Sequence, residues 1–489
     1  MQSTDFVEHS GSDEAAWAKA HFGTTCLGHR QRTERAVTIA EAMAARPGRS
    51  IPHLFDDVYD VKAAYTFFGH PRCTLDALQS SHRGLVAREA GECALVLAIE
   101  DTTDVSFSGG RRRDGLGSIG AGEPWQQGFW LHSVLLVDCP EGRVLDEGGA
   151  PLPVRVLGLG DQQQGVRPWP KKPKRKRAKQ KAYRSTARLG HERETQMWER
   201  SIERMGPPDA STRRVRVADR GADYYEYLAA CQASGDGYIV RACYNRVLID
   251  GQQPGYLMDR ARSLEARGEV VIELRERKGK PAREARLSVS FARVRIRAPQ
   301  RPGGGPGKRE PIECSVVRVW EPEPPSGAEA LEWVVLTDEQ VESFEQAREV
   351  VARYAKRWLV EEFHKALKTG LGAERLQLET AERLVAAIAV MSVVALRLLE
   401  VRERTRMRAD APAEESGLDE LELRLLRARL ATREIRTVRD VALAIGRLGG
   451  HMNRAGDGMP GWITLWRGMQ ELQLLVAGAR LARTLDDLG

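Results

Sequence analysis

The chain has 489 residues, of which 42% are hydrophobic, and this predicts a folded protein of roughly three domains rather than a disordered one. The net charge of +7 favours a polyanionic partner, although a basic surface also serves solubility alone. Seven cysteines without a C-x-x-C spacing argue against a disulfide framework and a zinc site, and they fit a reducing cytosol.

The first predicted elements are helices. The first twenty residues hold four acidic side chains and no apolar block, so no secretory signal is expected. Residues 14–90 are rich in alanine and predict helices, which are interrupted at Pro47-Gly48 and Ile51-Pro52. A basic stretch over residues 27–35 lies within this part of the chain.

Five short runs of mostly apolar residues predict strands. They cover residues 94–100, 129–138, 153–159, 214–218 and 238–241. A helix is predicted over residues 225–232, between the last two runs. Consecutive strands followed by a strand–helix–strand alternation indicate a mixed α/β sheet.

A run of positive charge separates the third predicted strand from the fourth. Residues 171–181 hold eight lysines and arginines in eleven positions. Such a run is usually a solvated loop. The alternative is a strap that binds phosphate groups, and the pattern leaves both interpretations open.

The second half of the chain changes from strands to helices. Residues 243–340 predict a β-rich insertion into the α/β domain, with a loose loop at 301–308. A long helix begins near Ser343, and nearly all of the remainder is predicted to be helical. The apolar run over 384–396 is too short to span a bilayer and predicts a buried helix, so no membrane partner is expected.

Two aspartates follow apolar strands. Asp101 is predicted to end the first strand and Asp219 the fourth. Because ligands gather at the carboxyl ends of strands in α/β sheets, both residues are candidate metal ligands. For either residue alone, capping of the following turn is the simpler interpretation.

A third carboxylate, Glu361, lies in a helix predicted to run without a break over residues 347–368. The apolar residues fill one face, and the other face presents Tyr354, Arg357, Glu361 and Lys368 in one narrow stripe. The simpler interpretation is a solvated face in which Arg357 and Glu361 form an ion pair one turn apart.

Three carboxylates suit phosphodiester cleavage with two magnesium ions, a reaction that needs hard oxygen ligands. Arg357 is suited to bind phosphate as a bidentate fork, and Lys368 as a point charge. The ten histidines show no paired metal spacing, which argues against zinc.

Several motifs resemble the DDE transposases of the insertion-sequence-four (IS-four) family, and within it the Tn-five type. They are ALVLAIEDTT, VADRGAD and above all YAKRWLVEEFHKALKTGLGAERLQL, whose Y-x2-R-x3-E-x6-K spacing is the family's signature. WAKAHFGTTCLGHRQRTERAV resembles the family's end-binding domain, LEWVVLT its β insertion and AIGRLGGHMNRAGDGMPGWITLW its C-terminal helical region. The resemblance covers nearly the whole chain. Departures from the family pattern at Thr66, Met197 and Gly221 concern recognition of the DNA ends rather than the reaction.

The resemblance implies a ribonuclease-H-like core in which Asp101, Asp219 and Glu361 are the catalytic residues. They would hold two Mg²⁺ ions, with Mn²⁺ as a substitute. It also implies that Trp333 stacks on a base flipped out near the cut. Further contacts to DNA are implied for Tyr354, Arg357, Lys368, Lys365, Arg241, Arg30 and Arg32.

We therefore expect a helical DNA end-binding domain over 1–74, a ribonuclease-H-like catalytic domain over 75–400 with its β insertion at about 243–340, and a C-terminal helical dimerisation region over 401–489. The resemblance implies cut-and-paste transposition by a homodimer on double-stranded DNA. Terminal inverted repeats would be bound, cut by hydrolysis and transesterification through a hairpin, and joined by their 3′ ends to target DNA. Two alternatives are an inactive relative that acts as a repressor and a stand-alone nuclease on the same fold. The expected location is the bacterial cytoplasm, at the nucleoid.

Overall fold

The computed structural model describes residues 14–107, 112–119, 126–169, 195–249, 255–274, 283–299, 309–407, 409–430, 434–454, 457 and 459–486. Two features of the sequence lie outside these residues, namely the basic run at 171–181 and the loop at 301–308.

Four helices precede the first strand, as the alanine-rich stretch predicts. They are α1 (Glu14–Phe22), α2 (Arg30–Ala45), α3 (Val58–Phe68) and α4 (Leu75–Gly91). Side chains cap three of them at their first turn. His29 accepts the backbone N–H of Gln31 at α2, Asp57 accepts that of Tyr59 at α3, and Thr74 accepts that of Ala77 at α4.

Ten strands in the described part of the chain form one mixed sheet, which confirms the predicted fold class. They are β1 (Leu95–Ser106), β2 (Gly117–Ser118), β3 (Gln127–Asp138), β4 (Arg155–Gly165), β5 (Arg213–Ala218), β6 (Gly237–Arg241), β7 (Gly268–Leu274), β8 (Arg283–Ile296), β9 (Ile312–Trp320) and β10 (Glu332–Thr337). Their order is β2-β3-β1-β5-β6-β10-β9-β8-β7, and β4 pairs with β3. β1, β5 and β6 run parallel to one another, and the other pairings are antiparallel.

Nine more helices are described after β4. They are α5 (Gln196–Met205), α6 (Tyr225–Ser234), α7 (Leu257–Ser263), α8 (Phe344–Ala355), α9 (Trp358–Lys365), α10 (Ala381–Met407), α11 (Glu420–Arg429), α12 (Val438–Leu448) and α13 (Trp462–Asp486). The apolar run at 384–396 is buried within α10, as predicted. Within the described residues, no helix has both the length and the apolar character needed to cross a membrane.

The prediction that Asp101 ends the first strand is wrong. β1 continues to Ser106, because β3 pairs with it from Val96 as far as Ser106 and keeps the polar second half extended. β4 likewise begins and ends later than predicted. Its polar second half stays in the sheet because Gln162 and Gln163 are buried and hydrogen-bonded.

The prediction of one continuous helix over 347–368 is also wrong. α8 ends at Ala355 and α9 begins at Trp358, and a π-helical turn (Ala366–Gly370) follows α9. Between α8 and α9 the backbone tightens: the N–H groups of Lys356 and Arg357 bond carbonyls three residues back, at 3.1 and 3.0 Å. Helical periodicity does not reveal this break, because every residue in it is compatible with a helix.

The segment predicted as a β-rich insertion extends the central sheet. β10 pairs with β6, and β9, β8 and β7 follow outward in that order. The segment also contains the short helix α7, which packs on β8 and β9. The predicted boundaries of the insertion and of the three domains remain predictions, and the one at about residue 400 lies within α10.

Helices cover both faces of the sheet. α9 and α10 lie on the face to which Leu97 and Ile99 of β1 belong, and the N-terminal helices share that core. α5 and α6 cover the other face, where they pack among residues of β5 and β6. The C-terminal helices α11 to α13 have a small apolar cluster of their own, and Trp466 of α13 joins the main core.

Candidate active site

Two of the predicted carboxylates lie on neighbouring parallel strands. Side chains alternate along a strand, so Asp101 faces the same side of the sheet as Ile99, and Asp219 continues the face of Val217. Ile99 is in register with Val217. Asp101 and Asp219 therefore stand at corresponding positions on one face, Asp101 inside its strand and Asp219 just beyond the end of β5.

Helix α9 brings the third carboxylate to this face. The Oε1 atom of Glu361 accepts a hydrogen bond from Nη2 of Arg357 at 2.5 Å. The Nη1 atom of the same guanidinium lies 3.6 Å from Oδ2 of Asp101. The i, i+4 ion pair that the sequence offered as the simpler interpretation is thus present, and it is part of the carboxylate cluster.

The surroundings of Asp101 disfavour its ionised form. Burial raises the pKa of the Asp101 carboxyl, and the nearby negative charges of Asp219 and Glu361 raise it further. The backbone N–H of Thr102 and the guanidinium of Arg357 oppose this shift, and the resulting pKa is about 6. Burial, together with the two neighbouring negative charges, therefore outweighs the favourable effect of Arg357 on the Asp101 carboxylate.

A divalent cation fits the chemistry of this cluster. Carboxylate oxygens are hard ligands of the kind that Mg²⁺ and Mn²⁺ prefer, and the raised pKa of Asp101 marks a need for positive charge. Among the described residues, however, no three histidine, cysteine, aspartate or glutamate side chains lie close enough together to hold one ion as they stand. Arg357 lies between Asp101 and Glu361. Binding of one cation by these carboxylates would therefore require Arg357 to release Asp101 and Glu361 and the carboxylates to come closer together.

Lys368 lies in the π-helical turn after α9, next to the second half of β1. Its Nζ atom donates to the carbonyl oxygen of Asp104 at 2.7 Å and pairs with Oε1 of Glu374 at 3.2 Å. Oε1 of Glu374 also accepts the backbone N–H of Ser106 at 2.9 Å. Lys368 is thus held along the strand that carries Asp101.

Tyr354 is more buried than the predicted open stripe implies, with 7% of its surface exposed. Burial raises its pKa, the guanidiniums of Arg357 and Arg241 oppose the shift, and Asp219 adds to it.

The partly buried ring of Trp333, on β10, lies 6.4 Å from the ring of Tyr354. Arg241 donates to the carbonyl of Glu332 at 3.1 Å. Tyr354, Trp333 and Arg241 therefore form one wall beside the carboxylates.

Three other predicted DNA contacts lie elsewhere. Lys365 pairs with Glu362 at 3.2 Å, and its ammonium lies 4.6 Å from the ring centre of Trp358. On α2, Arg30 is highly exposed and pairs with Glu34. Arg32 is partly buried and donates to the carbonyl of Leu27 at 2.5 Å.

Sequence reasoning missed Trp358, which follows Arg357 directly. Its indole N–H donates to Oε1 of Glu362 at 2.7 Å, and Lys365 covers its ring. Glu362, one residue beyond Glu361, is 3% exposed. The two adjacent glutamates thus differ: one faces the carboxylate cluster and the other is buried under an indole and a lysine.

A buried ionic network on the opposite face of the sheet was also missed. Arg216 of β5 donates to Glu100 of β1 and to Asp236, each at 2.7 Å, and all three side chains are fully buried. His132 links Glu100, at 3.4 Å, to the hydroxyl of Thr102, at 2.9 Å. The sequence feature that indicates this network is Arg216, which stands between two valines in RVRVA. An arginine on the buried face of a strand requires an acidic partner.

Three family models match this chain, and together they cover most of it. A model described as transposase DNA-binding matches residues 14–73, and one described as transposase DDE domain matches residues 186–397. A model described as transposase Tn5 dimerisation domain matches residues 418–489. The second range contains Asp219 and Glu361, and Asp101 precedes it.

Proposed function

Since this chain belongs to the DDE transposases of the Tn5 type, we propose that Asp101, Asp219 and Glu361 are the carboxylates with which it cuts and joins DNA. The chain is a DNA-binding DDE transposase with a ribonuclease-H-like core, flanking helical regions and a dimerisation domain. It is a DNA-cleaving and strand-transfer enzyme that depends on a divalent metal. The observation that carries our assignment is that Arg357 contacts both Asp101 and Glu361, while Asp219 stands at the position next to β5 that corresponds to Asp101 in the sheet register.

We further propose that Asp101, Asp219 and Glu361 hold two Mg²⁺ ions, which Mn²⁺ can replace. Such ions stabilise both the attacking and the leaving oxygen of a phosphodiester and lower the pKa of bound water. Support comes from the hard oxygen donors and from the raised pKa of Asp101, which a cation would relieve.

In this proposal, the basic side chains of the site bind phosphate groups of the DNA backbone. Arg357 exchanges its carboxylate partners for a phosphate, to which its two N–H edges are complementary. Neighbouring phosphates are bound by Lys368, by Arg241 and by the hydroxyl of Tyr354. Lys365, which is half exposed and lies farther along α9, adds positive charge outside the carboxylate cluster.

The reaction proposed for this site uses two kinds of chemical step, hydrolysis and transesterification. Water attacks the phosphorus and the bond to the 3′ oxygen breaks, which frees a 3′ hydroxyl at the end of the element. This hydroxyl attacks a phosphorus of the opposite strand to form a hairpin, and the 3′ oxygen of the flanking DNA leaves as a hydroxyl. A second water opens the hairpin and regenerates the 3′ hydroxyl, which then attacks a phosphorus of the target DNA and displaces a 3′ oxygen of the target strand. Trp333 stacks on a base flipped out near the cut, which its partial exposure beside Tyr354 permits.

Recognition of the DNA ends is proposed for the N-terminal helices. Arg30 and Arg32 of α2 contact terminal inverted repeats, and Arg32 first leaves the carbonyl of Leu27. Two copies of the chain pair two ends in one complex, and each active site cuts the end that the partner mainly holds. This complex forms on the bacterial nucleoid.

The test replaces each carboxylate in turn. Asp101→Ala, Asp219→Ala and Glu361→Ala should each lower the rate of cleavage and strand transfer by at least about a thousandfold, since the three act as a unit. Binding of DNA ends should persist in each variant, and chelation of the metal in the wild type should give the same result. Rates are measured on labelled DNA that carries the inverted repeats flanking the gene.

The matched control is Glu379→Gln, because this side chain is 84% exposed and lies just before α10. It should cleave at the wild-type rate. A triad variant that cuts at the wild-type rate removes that residue from the proposed set. A wild-type chain that binds the ends but never cuts them, with either metal present, would support the repressor alternative.

A further inference from the structure

An exposed tyrosine stands beside the candidate active site and has no role in the proposed mechanism. Tyr244 follows β6 by three residues, and 60% of its surface is exposed. Exposure by itself does not identify a binding residue, because Tyr59 is exposed too, at 71%, but the contacts around Tyr244 place its ring near the candidate site.

The backbone of Tyr244 is held by a buried carboxylate. Asp223 is fully buried, and its Oδ2 atom accepts the N–H groups of Cys243 at 2.6 Å and of Tyr244 at 2.9 Å. Its Oδ1 atom pairs with the guanidinium of Arg246 at 2.6 Å. The loop after β6, residues 242–246, is therefore held by a buried side chain. Fixing the exposed ring of Tyr244 against a ligand then costs little conformational entropy.

The same anchor ties this loop to the turn that carries Asp219. Asp219 caps a short 3-10 turn (Arg220–Ala222), and Asp223 is the next residue. The thiol of Cys243 also donates to the carbonyl of Arg220 at 3.6 Å. Tyr244 is thus held by Asp223, the residue that follows the turn capped by Asp219.

The surroundings of Tyr244 are basic. The guanidinium of Arg246 lies 5.6 Å from the centre of its ring, and Arg220 is exposed nearby. The N–H of Ala242 bonds the carbonyl of Val334 at 2.8 Å, which places the loop next to the strand segment that carries Trp333. An aromatic ring among guanidiniums is the combination that binds single-stranded nucleic acid by stacking and charge.

We propose that Tyr244 stacks on an unpaired nucleobase of the DNA strand that enters the active site, and that Asp223 positions it for this contact. The proposal rests on the proposed function, because it requires DNA at the carboxylate cluster. It adds a second aromatic contact to that of Trp333, on the side of Asp219.

The proximity of position 244 to the DNA strand is tested by photo-crosslinking under conditions that prevent cleavage. A benzoylphenylalanine is placed at position 244 and, as the matched control, at position 271. Val271 is similarly exposed, at 54%, but lies on β7, four strands away from β6. With the metal chelated and the terminal repeat of the element as the probe, position 244 should crosslink to the strand near the cleavage site and position 271 should not.

Stacking by the side chain at position 244 is tested with a DNA probe that carries the fluorescent base 2-aminopurine near the cleavage site. An aromatic ring that stacks on this base quenches the fluorescence of the base. Tyr244→Phe should quench like the wild type, whereas Tyr244→Leu should lose the quenching and weaken binding of the pre-nicked end by about tenfold. Equal quenching by the Leu and Phe variants overturns the proposal, as does crosslinking from position 271 alone. Loss of all DNA binding by the wild type would instead contradict the proposed function.

Discussion

The Asp101 carboxylate illustrates, at the scale of one residue, how function opposes stability. Only 19% of its side chain is exposed, and Asp219 and Glu361 add negative charge around it. Its pKa is therefore raised from 3.8 to about 6. At neutral pH this carboxyl is ionised in the folded protein, although its surroundings disfavour the charged form. The stability that this ionisation costs would be restored by a bound cation.

The first prediction follows from this shift. The folded protein binds the Asp101 proton more tightly than the unfolded chain, so wild-type stability falls as the pH rises through about 6. Asp101→Asn does not titrate. In the presence of chelator it should be more stable than the wild type at pH 8, by up to about 3 kcal/mol, and the difference should vanish below the ordinary pKa of 3.8. Thermal unfolding across this pH range measures it.

The control for this prediction is Asp56→Asn. A hydrogen bond and the charge of Arg46 lower the pKa of Asp56, so its replacement should bring no gain in stability at pH 8. An Asp101→Asn protein that is less stable than the wild type at pH 8 would show that Arg357 compensates Asp101 fully.

At the scale of elements, the pairing of β1 with β5 organises both faces of the sheet. One face of the pair carries Asp101 and Asp219, and the other carries the ion pair of Glu100 with Arg216. Burial alone would raise the pKa of Glu100, but Arg216 and the hydrogen bonds of His132 and Tyr227 lower it to about 2. The strand that carries Asp101 is thus anchored on its opposite face by a paired buried charge.

The second prediction concerns this anchor. Arg216→Met leaves Glu100 ionised and unpaired in the interior, which should lower the free energy of unfolding by about 3–5 kcal/mol. The double variant Glu100→Gln, Arg216→Met should recover most of this loss, because no buried charge is left alone. Urea unfolding at neutral pH provides the measurement.

Arg213→Met is the matched control, because it removes an arginine from the same strand. Arg213 is 43% exposed and pairs with Asp338 at the surface, so the expected loss is below about 1 kcal/mol. Equal losses for the Arg213 and Arg216 variants would mean that burial of the ion pair does not matter.

At the scale of the whole molecule, the long helix α10 joins the parts of the chain. α2 and α3 pack on it from the N-terminal region, and α12 packs on it from the C-terminal region. Gln470 of α13 donates to the carbonyl of Pro47 at 2.6 Å. The DNA-binding and dimerisation regions are therefore in direct contact within one chain.

The third prediction concerns dimer formation. Leu474 and Leu481 of α13 are 56% and 61% exposed, and the exposed small residues Ala477 and Gly478 lie between them on the same face. This apolar stripe lies in the range that matches the dimerisation domain. Leu474→Glu with Leu481→Glu should weaken pairing of two DNA ends by at least about tenfold, because charge would be buried in the interface. Native gels that separate single-end from paired-end complexes measure this.

Single-end complexes should form normally in that double variant. Met452→Glu is the control, since Met452 is 66% exposed and lies outside α13. Paired-end complexes that persist in the double variant would place the dimer contact elsewhere.

Local sequence patterns determined much of this protein. Alanine-rich and apolar runs predicted the helices and strands, because burial of one face imposes a period that is readable in a short window. They placed Asp219 just beyond the end of its strand, and the Y-x2-R-x3-E-x6-K spacing selected Tyr354, Arg357, Glu361 and Lys368. The basic run at 171–181 was also read from the sequence, and its role remains a prediction.

Only the tertiary structure decided how these residues meet. Asp101 lies inside β1 rather than at its end because a neighbouring strand, not the local sequence, keeps residues 101–106 extended. Arg357 lies in the break between α8 and α9, which periodicity does not reveal, and it contacts Asp101 from a different element of the fold. Arg216 meets Glu100 across 116 residues, and Asp223 anchors Cys243 across 20. Contacts over such separations depend on the packing of whole elements, and a buried charge or a fixed loop becomes visible only when that packing is known.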